Sequence, residues 1–176
     1  MVAGWTYARD VIEHRLRAVF APEAFEALYP GAKPPKVSLG FPVTEPPFYA
    51  AVDEIVDTAE TSGAASMGHA EIDYTIRIWL CAQHADLRTA SDTLLAYIDA
   101  VFGAIMADPQ LCGAADNAFT AVENAGTAAD SSKRYIAAAS VAVQCQRWSA
   151  CPAPLAAIVA GDNAEIKEER DEGNSD

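Results

Sequence analysis

At 176 residues and 51% hydrophobic composition, the chain is long enough for one main core that buries roughly two-thirds of the unfolded surface. Its 25 acidic residues against 12 basic ones give a formal charge of -13, which argues against an extended grip on nucleic-acid phosphates but leaves room for DNA to pass nearby. Cys81, Cys112, Cys145 and Cys151 form no C-x-x-C pair, and three of them sit in apolar surroundings, so reduced thiols are expected rather than a disulfide frame or a zinc site.

The opening MVAGWTYARD lacks the apolar stretch of a signal peptide, and the late apolar run 152–161 is too short to cross a bilayer. Synthesis in the cytoplasm, with no membrane partner, is expected. Residues 8–20 place Val11, Ile12, Leu16, Val19 and Phe20 on one helical stripe, with Glu13, His14 and Arg17 opposite. Pro22 ends or interrupts that helix. Ala24 to Tyr29 adds a further turn before Pro30-Gly31 and the Lys33-Pro34-Pro35-Lys36 segment force an extended connection. Val37 to Phe41 reads as a short strand. The segment Phe48 to Thr58 fits an amphipathic helix or a strand; a strand is preferred, because the long β run after it needs an antiparallel neighbour. Thr61 to Gly68, TSGAASMG, is then expected to be a small-residue hairpin tip.

The stretch Ala70 to Gln83, AEIDYTIRIWLCAQ, carries fourteen residues of β character without a breaker. Ile72, Tyr74, Ile76, Ile78 and Leu80 fall on one side of the pleat, and Asp73, Thr75, Arg77, Trp79 and Cys81 on the other. One face is core. Trp79 marks the second face as one that meets a helix, a partner subunit or a channel wall, or as a strand half covered by its own helix. Asp86 is placed to cap a helix running to Ala107 and ending at Asp108-Pro109, with Leu87, Leu94, Ile98, Val101 and Ile105 as its apolar stripe. Its small-residue back, Ala96, Ala100, Gly103, Ala104 and Ala107, allows close approach of another surface or is a solvent face chosen for helix propensity.

Strands are expected over Asn117 to Glu123 and Tyr135 to Trp148, joined by a polar loop from Gly126 to Lys133. The order predicts an α+β fold: a single, mainly antiparallel sheet with a long hairpin and its helices packed on one face. The domain is expected to span 1–161. Residues 162–176, with seven acids against two bases, read as an acidic tail, disordered or ordered only on a partner.

No G-x-G-x-x-G, Walker loop, G-x-S-x-G or H-E-x-x-H occurs, so no cofactor and no enzymatic activity are expected. His14, His69 and His84 are isolated along the chain and read as ordinary surface or loop residues. The acids Asp53, Glu54, Asp57 and Glu60, near Glu71 and Asp73 if the hairpin pairs as supposed, offer oxygens for a divalent cation or an acid and base pair. A solvated acidic hairpin is the preferred reading, because no nucleophile, histidine or phosphate loop accompanies them. As a variant, they line a passage for a polyanion that must slide without adhering.

An amphipathic N-terminal helix, a proline-rich crossover, a hairpin leading into DYTIRIWLCAQ, a helix of the LLAYIDAVFGAIM type and a closing strand RYIAAASVAVQCQRW together resemble tail terminator (tail completion) proteins of long-tailed bacteriophages. The resemblance covers about residues 8–149 and rests on element order and pattern. It implies a structural virion protein at the junction of tail and neck. Its partners would be copies of itself in a ring, generally a hexamer, the tail-tube protein below and a head-side connector or stopper above, with DNA passing through unread. By the same resemblance Asp53, Glu54, Asp57 and Asp73 are candidates to face the lumen. Trp79, Ala96, Ala100 and Ala104 are the candidate subunit interface, so that Ala100→Arg is expected to disperse the ring. Two alternatives remain: another neck component, such as a head-completion stopper or a tail-tube relative, and a ferredoxin-like ligand-binding domain or enzyme using Asp73, Arg77 and Trp79.

Overall fold

The computed structural model describes residues 4–42, 46–54, 58–66, 69–130 and 133–150. The chain forms α1 (Gly4–Val19), α2 (Pro22–Leu28), β1 (Lys36–Leu39), β2 (Phe48–Val52), β3 (Thr58–Ser66), β4 (His69–His84), α3 (Leu87–Met106), β5 (Asn117–Ala129) and β6 (Tyr135–Ala150). Five strands lie in the order β1-β2-β4-β6-β5, and β3 pairs with β4. β2 runs antiparallel to β4 and β5 antiparallel to β6, whereas β1 and β2 are parallel. This is the mainly antiparallel α+β sheet that the alternating patterns predict. Two compact units are distinguished, Met1–Glu60 with Asp73–Arg147 and Thr61–Ile72 with Trp148–Asp176. The acidic tail and Cys151 lie outside the described residues.

Two expected boundaries are corrected. Thr61 to Ser66 belongs to β3 rather than to a hairpin tip, and β5 continues through Gly126 to Ala129 where a loop was expected. In both cases Ala, Ser, Gly and Thr have the composition of a loop, but cross-strand hydrogen bonding holds such weak strand formers once a long neighbour is present.

In the larger unit, Tyr74, Ile76, Ile78 and Leu80 of β4 are buried on one face, facing the core as their spacing predicts, whereas Ile72, which belongs to the smaller unit, is only half-buried. α1 packs on α3 and on β1 and β2, burying Ala8, Ile12, Leu16 and the following Phe20. Val11 and Val19 flank that stripe half-buried. α2 is only seven residues long and starts on Pro22, whose missing N–H costs nothing at a helix start. Its one buried side chain is Phe25, whose ring lies 5.4 Å from Phe20, 5.0 Å from Tyr29 and 5.7 Å from Tyr97. The Tyr97 hydroxyl donates to the Lys33 carbonyl.

α3 begins as predicted, the Asp86 carboxylate accepting from the Thr89 backbone N–H at 2.8 Å and from its hydroxyl at 2.8 Å. These bonds hold the Asp86 carboxyl below its ordinary range. Asp86→Ala removes this cap and is expected to lower stability; an unchanged urea midpoint would remove the cap from this account. α3 is long and apolar enough to cross a membrane by length and composition. Here Leu94, Tyr97, Val101 and Ile105 bury its apolar side within the protein, while Leu87, placed in the stripe by its spacing, is 42% exposed.

Beyond α3 the backbone enters the left-handed region at three successive residues, with φ of 49° at Leu111, 55° at Cys112 and 82° at Gly113. A left-handed conformation costs a residue with a Cβ about 1–2 kcal/mol, and local contacts offset it. Leu111 is fully buried, and the Cys112 N–H donates to the Asp108 carboxylate at 2.9 Å. From α1, Arg15 donates to that same carboxylate, to the Asp108 carbonyl at 2.9 Å and to the Ala104 carbonyl at 3.4 Å. One cation thus occupies the negative end of the α3 dipole and ties the first helix to the last turn of the third.

Candidate functional site

The sheet face turned away from the core is built by the outward set of β4. In β2, Ala51 pairs with Trp79 and Tyr49 with Cys81, so these side chains share that face. Trp79 is half-buried, and its indole N–H donates to the Asp53 carboxylate at 3.0 Å. Its ring lies 5.4 Å from that of Phe41 and 5.5 Å from the Arg77 guanidinium. Trp79 is thus covered by its own chain, the outcome expected of a small satellite cluster on an open sheet face.

Arg77 also donates through Nε to the Glu123 carboxylate at 2.7 Å. Arg77 stands on β4 and Glu123 on β5, so the ion pair bridges over β6, the strand between them. At that level β6 presents Ser140 and Ala142, both buried, and only small side chains leave space for the crossing. Glu123 lies where the β5–β6 register shifts between Val122 and Asn124, and a bulge of this kind re-aims a side chain.

Two concavities flank this bridge. One is an open groove of about 330 Å³ between Tyr49 and Trp79 on one side and Asn124 and Gly126 on the other, with Ala138 and Ser140 along it. The second, also about 330 Å³, is polar and is lined by Asp73, Thr75, Phe119, Gln144 and Gln146, with backbone neighbours. Asp73 Oδ1 is itself enclosed, away from solvent, and accepts no hydrogen bond.

Among the described residues, the acids proposed for a lumen, Asp53, Glu54 and Asp73, do not form one cluster. Asp53 is half-buried against Trp79, and Glu54 is exposed, with its backbone carbonyl accepting from Arg9 at 2.9 Å. The Glu54 side chain lies over Gly40 (φ 70°), where an added Cβ would sit 2.6 Å from Oε1. Asp73 lies four residues from Arg77 along β4, about 13 Å at the rise of a strand. Asp57 lies outside the described residues. Among the described residues, no group of three or more His, Cys, Asp or Glu side chains is arranged to hold a metal ion.

The candidate helix interface needs correction. Ala100 and Ala104 are 3% and 7% exposed, facing the interior, and Ala96 is half-buried. Alanine serves equally on a solvent face and at a close-packed contact, and the fold uses the second. Ala100→Arg would therefore place a guanidinium in the core and unfold the chain, rather than report on an interface. The exposed side of α3 carries Arg88, Asp92, Leu95, Asp99 and Met106 instead.

Sequence spacing gave no sign of the Arg15 clamp or the Arg77–Glu123 bridge, because both join residues far apart in the chain. Cys81 and Cys145 are buried thiols outside any disulfide, as their context predicts, and burial pushes the Cys145 thiol up to about 12 against a hydrogen bond with Tyr74 that lowers it. Cys112 is free but exposed. Burial also raises the Tyr29 phenol to about 12, helped by its hydrogen bond to Asp99 at 2.6 Å.

The two outer edges of the sheet differ. β1 has four residues, includes Lys36, and lies between Pro34-Pro35 and Pro42, all features that discourage strand addition. β5 has thirteen residues without proline or lysine. From Ala121 to Ala129 every side chain is exposed, and Phe119 and Val122 are 50% and 42% exposed.

No family model and no curated protein matches the chain. Among solved structures it is similar to a chain in one described as the virion of a native gene transfer agent (GTA) particle, at 15% identity and a TM-score of 0.42, over 78% of this chain and 93% of that one. A likeness at this level assigns the chain to no family.

Proposed function

We propose that the chain is a structural virion protein of phage type, which assembles as a ring, generally a hexamer, on the end of a tail tube. The ring ends tube growth and offers its other surface to a head-side connector or stopper, while DNA passes through unread. The observation that carries this reading is the β5 edge: a long strand without proline or lysine, exposed from Ala121 to Ala129 and interrupted by one bulge, on a sheet whose opposite edge is short and guarded. Such an edge is a template for another chain. Two unlike edges suit heterologous contacts, which close into a ring when the rotation permits. With a net charge of -13, the assembled wall repels a polyanion rather than binding it.

Light scattering over a range of concentration and salt is expected to give a ring-sized mass, alone or on addition of tail-tube protein. Tube protein polymerised with the chain present is expected to stop at short lengths in electron micrographs. Tubes of unchanged length beside a ring-sized species would favour a stopper-like neck component. A monomer indifferent to tube would sink the assembly reading altogether.

A further inference from the structure

A thirteen-residue strand at the edge of a sheet, with neither proline nor lysine, offers itself to other chains, and growth by such pairing has no natural end. Sheet edges are guarded by charge, by proline, by shortness or by a bulge that breaks the line of the strand. β5 has two of these guards, and both fall on one residue. Glu123 is the only charged residue between Asn117 and Ala129. It is also the residue that the register skips, since Val122 pairs with Val141 and Asn124 with Ser140.

The pairing shows what the inserted residue does. β6 turns its even-numbered residues to the outer face, where Gln144 lines the polar concavity and Ala138 and Ser140 line the groove. Before the shift, odd residues of β5 stand opposite them, Phe119 against Gln144 and Ala121 against Ala142. After it, even residues do, Asn124 against Ser140 and Gly126 against Ala138. One extra residue thus changes the phase of the strand. In a run as uniform as Asn-Ala-Gly-Thr-Ala-Ala, small side chains fix a register only weakly, so an unheld insertion slides along the strand. The Glu123 carboxylate supplies the hold. It accepts from Arg77 Nε at 2.7 Å across β6, with the Arg77 and Glu123 side chains 22% and 31% exposed, so solvent screens the pair only in part. The guanidinium is itself placed against the Trp79 ring, 5.5 Å from its centre.

We infer that the Arg77–Glu123 ion pair is a stop built into the β5 edge: it pins the bulge, and the pinned bulge confines strand addition by a second copy to one short stretch. This deepens the assembly reading proposed above and rests on it. A bulge bends its strand and increases the twist, so a straight partner strand does not pair through it. The edge is thereby divided into Asn117–Val122 and Asn124–Ala129, each about 20 Å long at the rise of a strand. A contact of that length joins copies at a fixed place, as a closed ring requires, whereas an unbroken edge permits sliding and open-ended sheet growth. Arg77 and Glu123 are positioning residues in this account, acting on the partner through the shape of β5.

The test uses the full chain, with sedimentation velocity and hydrogen–deuterium exchange as readouts. Deleting Glu123 removes the inserted residue and leaves every other β5–β6 pair in its register, so the variant is expected to keep its fold and gain an unbroken edge. Its mass is expected to climb with concentration past the ring at which the native chain stops. Glu123→Ala and Arg77→Met keep the insertion but release it. In each, amides 120–126 are expected to exchange about fivefold faster, the loss of one partly screened ion pair, and part of the protein is expected to pass the ring mass. Arg88→Gln, which breaks an ion pair on α3, is expected to move neither readout. Should the deletion variant fail to fold, the two substitutions carry the test. A folded deletion variant that stops at the native mass, or native exchange at 120–126 in both substitutions, would overturn the stop and leave the assembly reading standing. A native chain that stays monomeric at every concentration, with and without tube protein, would overturn both.

Discussion

Phe25→Ala is expected to lower the stability of the chain by about 3–5 kcal/mol, the usual cost of deleting a buried aromatic ring. That is a large part of the roughly 5–15 kcal/mol that holds a typical domain together. Seven residues are too few to form a helix unaided, so α2 depends on its packing, and Phe25 is its one buried side chain. The ring lies among Phe20, Tyr29 and Tyr97, which join α1, α2 and α3. Its loss therefore opens a cavity where three helices meet. Tyr97→Phe keeps the ring and removes only the bond to the Lys33 carbonyl, so it is expected to cost about 1 kcal/mol. Equal losses for the two variants in guanidinium denaturation would show that the cluster is not the joint described here.

Arg15→Met is expected to cost about 2 kcal/mol at neutral pH, as the removal of a hydrogen-bonded cation does. Arg15 is 17% exposed but Asp108 is 39% exposed, so solvent screening keeps the figure below that of a fully buried pair. The pH dependence supplies a second signature. The Asp108 carboxyl is held below its ordinary value of 3.8, first by the Cys112 backbone N–H and then by Arg15. A carboxyl whose pKa is depressed on folding contributes stability that is complete above the unfolded value and fades as pH falls through the folded one. Native chain and variant should therefore differ by a constant amount at pH 5 to 8 and by a smaller amount below about pH 4, where the Arg15 bonds to the Ala104 and Asp108 carbonyls remain. Thermal melts that stay equally separated down to pH 2 would mean that Arg15 acts through its carbonyl bonds and packing and not through the Asp108 carboxylate.

Much of the fold is legible where side-chain chemistry is unambiguous. The β4 alternation from Tyr74 to Leu80 gives both the strand and its buried face, and Asp86 marks the start of α3 to the residue. Legibility fails where small residues dominate. TSGAAS and AGTAA carry no hydrophobic period, yet both are strand, because pairing with a long neighbour outweighs weak propensity. Ala100 and Ala104 misled in the opposite direction, as a surface that is in fact interior. The candidate site was legible only in part. Trp79 on the outward face was apparent, but its cover by Phe41, Asp53 and Arg77 depends on tertiary placement. The enclosed Asp73 oxygen has no sequence signal, since an aspartate facing out of a pleat looks the same with and without a donor.

The bond from Arg15 to the Asp108 carbonyl spans 93 residues, and this separation bears on how the chain is made. On the ribosome α1 emerges early with Ile12 and Leu16 uncovered, while the helix end it must clasp is still untranslated. At about 5–20 residues per second that interval lasts roughly 5–20 s. Throughout it the nascent chain carries an apolar stripe with no native cover, and any trigger factor or holdase near the exit tunnel meets it first. Contacts so distant also slow folding after release. An amino-terminal fragment ending before Asp108 would lack the clasp permanently, so interrupted synthesis leaves a product that cannot close.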